Sequence, residues 1–435
     1  MDGLLTLASR FQGTGGGGFT TGDGGPALVA PVSDGYAAAS TDGGHSAGRV
    51  PTWALASPGN VNFHLLQDFA AVSLADMTHL GKAITESYYG KKPEYSYWLG
   101  CSTGGRQGLM MAQRYPELYD GIVALAPAVN WDSMVPSSYW PQQVMNRLGV
   151  YPPRCELQAF TNAAITACDD LDGLTDGVIT NADACTFDPF CKVGHTFDCD
   201  GEDRVFTSEG ATVAQAAWTG MIDDSGEKQW YGLNKDADLH RTANTTTVGN
   251  SSYGTPFDVA LGWLKYFLAK DADFDVTNMT NAEFFDFVHQ SRNQYASILG
   301  TADPDLSRFK ARKGKMITWH GLADPLIQPN GTVEYYSRVA DKFDDVQDFY
   351  RFFEAPGVGH CSGGAGAQPV RELEAMVKWV EQGVAPDTLS AVNATLYGEE
   401  PDPGQSLPTR NLCAWPKMQT YNGGDPDLAE SFDCV

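Results

Sequence analysis

Gly100-Cys101-Ser102-Thr103-Gly104 constrains this chain more than any other stretch. It has the G-x-S-x-G form, in which a serine stands on a sharp turn between a strand and a helix. The flanking residues read in that order. Tyr95-Ser96-Tyr97-Trp98-Leu99 is aromatic and strand-like, and Arg106 to Tyr115 holds strong helix formers. Tyr119-Asp120-Gly121-Ile122-Val123-Ala124-Leu125-Ala126-Pro127 reads as the next buried strand. Strand, turn, helix, strand is the setting in which this motif carries meaning.

The rest of the chain divides around that centre. The N-terminal part is glycine-rich at Gly13-Thr14-Gly15-Gly16-Gly17-Gly18-Phe19. The apolar runs Ala27 to Pro31 and Tyr36 to Asp42, punctuated by Gly and Pro, suggest strands and tight loops. Residues 69–88 read as one helix. From about Trp131 the alternation of strand and helix disappears. It returns at Lys315-Met316-Ile317-Thr318-Trp319-His320, a strand ending in Gly321-Leu322-Ala323-Asp324-Pro325. A helix from Val333 to Lys342, a strand Phe349 to Phe353 and a helix Arg371 to Gln382 follow. The expected fold class is α/β, with an α/β-hydrolase core split by a large inserted lid domain. Residues 1–131 and 310–435 would form the core, and 132–309 the lid.

A serine hydroxyl needs a base within hydrogen-bond reach, and an acid to orient the base. In α/β-hydrolases these follow in the order Ser, acid, His. Ser102, Asp324 and His360 have that order, and Asp324 and His360 each follow a predicted strand. His45, His64 and His79 come before the turn, and His195, His240 and His289 lie in the insertion. His320 ends a strand and suits a packing or supporting place. Cys101 precedes Ser102 and Cys361 follows His360, so a disulfide between them would tie nucleophile to base. The acyl oxyanion would be held by the backbone N–H of Thr103 and by one from the glycine loop, with Gly17 as the best single choice.

At 435 residues with 42% hydrophobic content the chain can bury a large core, and its net charge of −25 argues against a nucleic-acid partner. No apolar run is long enough to span a membrane. Nine cysteines, without histidines at zinc-ligand spacing, point to disulfides in an oxidising compartment. Sequons at Asn244, Asn250, Asn278, Asn330 and Asn393 point the same way and suggest a secreted glycoprotein. Met1-Asp2-Gly3 carries no basic region and Leu4 to Ala8 is short for a signal's apolar segment, so the chain reads as one that begins late. Asp169-Asp170-Leu171-Asp172-Gly173-Leu174-Thr175-Asp176-Gly177-Val178 packs carboxylates and glycines into one loop. Hard oxygen ligands at this density suit Ca²⁺, although the spacing is not that of an EF-hand.

Cys101-Ser102, Asp324 and His360-Cys361 together make the chain resemble the tannase and feruloyl esterase family of secreted serine esterases. The likeness extends through Tyr97 to Gly108, Arg114-Tyr115-Pro116, His320 to Pro325 and Arg410 to Lys417, with Phe432 and Cys434. It implies disulfides Cys168 with Cys185, Cys191 with Cys199, and Cys413 with Cys434, leaving Cys155 over. It implies a structural Ca²⁺ held by Asp169, Asp172 and Asp176 and by the carbonyls of Leu174 and Val178. It also implies further N-terminal residues in family members. The expected activity is hydrolysis of feruloyl or related hydroxycinnamoyl esters of plant cell-wall sugars, as in xylan degradation, with galloyl esters as the runner-up. A non-catalytic glycan- or phenolic-binding protein and a serine peptidase are the rivals from other classes. Trp140, Trp230, Tyr253, Trp263, Phe284 and Phe285 are candidates for packing an aromatic acyl group, with ordinary core burial the commoner fate of such residues.

Overall fold

A computed structural model describes residues 9–45, 49–249, 251–393 and 407–435. The sequon at Asn250 and residues 1–8 lie outside them. Six strands form one sheet: β1 (Arg10–Thr14), β2 (Ala37–Ala39), β3 (Tyr95–Cys101), β4 (Gly121–Leu125), β5 (Lys315–Gly321) and β6 (Tyr350–Ala355). Their spatial order is β6-β5-β4-β3-β1-β2, and every neighbouring pair is parallel. Gly121 is opposite both Tyr97 of β3 and Lys315 of β5.

A parallel sheet covered on both faces needs strands that are apolar on both sides, hence their continuous hydrophobic runs. Phe11, Trp98, Ile122, Ala124 and Met316 pack on one face with residues of α1 (Val72–Tyr89) and α2 (Thr103–Arg114). Tyr97, Val123, Ile317, Trp319 and Phe353 pack on the other with Met376 and Trp379 of α4 (Glu372–Gln382). A further helix, α3 (Pro329–Ala340), joins β5 to β6. It starts four residues earlier than its sequence pattern suggests, because Pro329 supplies the preset φ of a first helical turn.

The helix expected over 69–88 is two. Ala71, at φ −164°, ends Phe63–Ala70 and precedes α1. The apolar run at 27–31 is not a strand but a 3₁₀ turn, Gly25–Leu28, running into a short helix, Val29–Ser33. Between β4 and β5, neighbours in the sheet, the chain makes helices and two hairpins, and none of these joins the central sheet.

Four disulfides are present: Cys101–Cys361, Cys155–Cys199, Cys168–Cys185 and Cys413–Cys434. The expected Cys191–Cys199 bond is not formed. Cys199 ends the first strand of the hairpin Thr196–Cys199 and Glu202–Val205. That strand lies against the helix Arg154–Cys168, which brings Cys199 to Cys155, with Cα atoms 5.3 Å apart. Cys191 sits in the turn Pro189–Lys192 and is left as an exposed thiol.

Candidate active site

Ser102 caps the end of β3 and the start of α2, at φ 62° and ψ −122°. A non-glycine residue seldom holds this backbone conformation, and it persists only where its surroundings enforce it. Here they do. Its N–H donates to Leu125 O at the end of β4 (2.9 Å), and its carbonyl accepts from Ala128 and Arg106. Gly100 leaves no room for a side chain, since its Cβ would stand 2.6 Å from the carbonyl carbon of Gly104, and a Cβ on Gly104 would itself press on Gly16 O at 3.1 Å.

The glycine loop after β1 lies against this turn. Gly104 N–H donates to Gly16 O (2.8 Å), Thr103 Oγ1 donates to Gly18 O (2.7 Å), and Gly16 N–H donates to Gln107 Oε1 (3.2 Å). A Cβ on Gly15 would sit 2.4 Å from Gly104 Cα, so glycine is what permits this approach. Thr103 and Gly17 both line the cavity beside Ser102.

Asp324 follows β5 and is fully buried. Its Oδ1 accepts from the N–H groups of Leu326 (2.8 Å) and Ile327 (3.0 Å). Its Oδ2 is 2.7 Å from His360 Nδ1 and 3.1 Å from His320 Nε2. His320 is fixed in turn by Thr332 Oγ1, 2.8 Å from its Nδ1. Burial alone would push the Asp324 carboxyl up. The charge of His360 and the hydrogen bonds from both histidines outweigh burial and hold it well below the usual carboxylate range. The supporting place expected for His320 is therefore a direct bond to the acid.

His360 stands in the loop after β6. The bond between Cys101 and Cys361 joins that loop to the strand end before Ser102, with Cα atoms 6.0 Å apart. Ser102, His360 and the disulfide line one cavity of about 600 Å³, walled largely by apolar residues including Trp131, Met134, Val135 and Phe257. None of the six aromatic residues picked out above lines it. Trp140, Trp230, Trp263, Phe284 and Phe285 are buried in the core, and Tyr253 lines another pocket. The missed residues had a positional signal. Trp131 lies just past the end of β4, and Leu326 and Ile327 follow Asp324, where a parallel sheet presents its site.

In the acidic loop, Asp169 Oδ1 accepts from the N–H groups of Asp176 (3.1 Å) and Gly177 (3.0 Å). Asp172 Oδ1 accepts from Leu174 N–H (3.0 Å), and Asp176 Oδ1 from Val178 N–H (3.1 Å). Burial pushes the Asp176 carboxyl up, and nearby Asp172 and Asp169 add to it, against the pull of Val178 N–H and Arg410. The oxygens are of the kind Ca²⁺ takes, and a cation would relieve this repulsion. Among the described residues no three acidic, His or Cys side chains converge into a closed shell. No described helix is long and apolar enough to cross a membrane.

A family model described as "Tannase and feruloyl esterase" matches residues 6–435. A probable feruloyl esterase from Arthroderma benhamiae is 41% identical over 98% of this chain and 80% of its own. A tannase from Aspergillus oryzae is 30% identical over the same shares. Among solved structures, the tannin acyl hydrolase from Aspergillus niger superposes with a TM-score of 0.88 at 27% identity, covering 98% of this chain and 80% of that one.

Proposed function

The chain belongs to the tannase and feruloyl esterase family and is a carboxylic ester hydrolase acting on aromatic esters; from that premise we propose that Ser102, His360 and Asp324 are its catalytic triad. Ser102 Oγ attacks the ester carbonyl as His360 Nε2 takes its proton. The C–O bond to the alcohol then breaks, and His360 returns the proton to the departing oxygen. A water, deprotonated by His360, releases the acid and restores Ser102. Asp324 holds the imidazole in the needed tautomer and stabilises its protonated form. The N–H groups of Thr103 and Gly17 receive the oxyanion.

The observation that most supports this is the 2.7 Å bond from His360 Nδ1 to a buried carboxylate, with Ser102 on the same cavity wall. An apolar cavity beside Trp131 and Phe257 suits an aromatic acyl group. We assign feruloyl or related hydroxycinnamoyl esters as substrates, in keeping with the 41% identical relative, and galloyl esters as the second reading, in keeping with the tannase. Residues 132–309 would act as the lid of an α/β-hydrolase core, stapled by disulfides and by Ca²⁺ at Asp169, Asp172, Asp176 and the carbonyls of Leu174 and Val178. Four disulfides and the exposed sequon Asn278 favour secretion.

Hydrolysis of methyl ferulate and methyl gallate, side by side with Ser102→Ala, tests the reading. Turnover lost in the variant supports the serine mechanism, and the preferred ester names the acyl group. Turnover that survives in Ser102→Ala would overturn it.

A further inference from the structure

His360 and Leu326 line two cavities at once: the apolar one that holds Ser102, and a second of about 440 Å³. The second differs in character. Asp236, Asp238, His240 and Arg241, all from the segment between β4 and β5, face Ser362 and the glycines of the His360 loop across it. Asp238 is paired with His240, and Arg241 is exposed. Asp236 is the unusual member. Both its carboxyl oxygens are buried without a well-formed hydrogen bond, with only the backbone N–H groups of Asp236 itself and Ile179 drawing on them. Burial pushes this carboxyl up to about 7, so near neutrality it both donates and accepts. A buried polar group left so poorly satisfied calls for a partner.

Acyl transfer fixes where the two halves of the ester go. The departing oxygen receives its proton from His360, so the alcohol must lie against that imidazole. The acyl half has the apolar cavity beside Trp131 and Phe257, and among the described residues the wall it shares with the polar cavity is His360 and Leu326. We propose that this polar cavity is the subsite for the alcohol half of the ester, and that Asp236 and Arg241 recognise the hydroxyls of a sugar there. The inference rests on ester hydrolysis at Ser102 and deepens it. A polyhydroxyl alcohol gives the carboxyl of Asp236 a partner and bonds the guanidinium of Arg241 in place of water, whereas a methyl group reaches neither.

The test compares kcat/KM for a feruloyl ester of arabinose with that for methyl ferulate in wild type, Asp236→Ala and Arg241→Ala. Loss of one such hydrogen bond should lower the preference for the sugar ester about 5- to 10-fold in each variant, chiefly through KM. If Asp236→Ala does not fold, Arg241→Ala decides alone, since its side chain is exposed. An unchanged preference, or equal losses on both esters, overturns the subsite and leaves the esterase reading standing. A wild type that cleaves neither ester overturns that reading and the subsite with it.

Discussion

Cys101 and Cys361 are bonded across a sequence separation of 260, one directly before Ser102 and the other directly after His360. In the chain-entropy account, closing so long a loop stabilises the fold by up to on the order of 5 kcal/mol. Its geometric effect is more local, because Cys361 and Ser102 both hold left-handed backbone conformations, at φ 63° and 62°. Replacing both cysteines by alanine is expected to lower kcat about tenfold or more, with far-ultraviolet circular dichroism unchanged. Full activity in that double variant would show that the bond does not position the site.

Asp324 has both carboxyl oxygens engaged, Oδ1 by two backbone N–H groups and Oδ2 by two histidines. In Asp324→Asn the shape is kept, but the amide cannot hold the His360 tautomer or offset its charge. The expected fall in kcat is about 10³- to 10⁴-fold, with KM little changed. His320→Gln, which keeps a hydrogen-bonding group near Oδ2, should cost far less. Equal losses in the two variants would assign His320 more than a supporting part.

Gly16 and Gly17 are neighbours with opposite tolerance. A Cβ on Gly16 would stand 2.2 Å from Thr20 O, whereas one on Gly17 meets nothing within 4 Å. Gly16→Ala should therefore displace the loop and cut activity about 100-fold, in the range seen when an oxyanion donor is lost. Gly17→Ala keeps its N–H and should retain most of the turnover. The reverse order, measured as kcat on methyl ferulate, would overturn this account of which glycine the loop requires.

The sheet and the Asp324–His360 pair were legible because each is written locally. A strand buried on both faces is a continuous apolar run, and Asp324 and His360 stand just past two of them. The segment between β4 and β5 was not legible in the same way. Its packing depends on long-range contacts, such as the hairpin that carries Cys199 to Cys155 and leaves Cys191 exposed. Nothing in the spacing of those three cysteines distinguishes the two pairings. The same holds for the aromatics: Trp131 and Trp140 differ little in sequence context, yet only Trp131 reaches the cavity.

The acidic loop gives a separable test. Ca²⁺ bound at Asp169, Asp172 and Asp176 would stabilise the folded chain by mass action, so chelation should lower the melting temperature by on the order of 5 °C. Asp172→Ala should start lower and respond little to chelator. A wild type that contains no calcium by elemental analysis, and melts alike with and without chelator, would reduce the loop to a turn closed by its own backbone N–H bonds.

Asp132 offers a prediction in pH. It lies in the first turn of the helix Trp131–Ser137 and is buried. Burial pushes its carboxyl up to about 6, against the pull of its own backbone N–H and of Arg292. An unfolded chain releases this proton near pH 4, so between about pH 4 and pH 6 the folded chain holds a proton that the unfolded chain has lost. Stability from this group is therefore greatest below pH 4, falls as pH rises to 6, and is constant above. A shift of this size corresponds to on the order of 3 kcal/mol. Asp132→Asn removes the titration. Its unfolding free energy in urea, relative to wild type, should improve as pH rises from 4 to 6 and then level off. Parallel pH profiles for the two proteins would show that Asp132 keeps its ordinary pKa despite its burial.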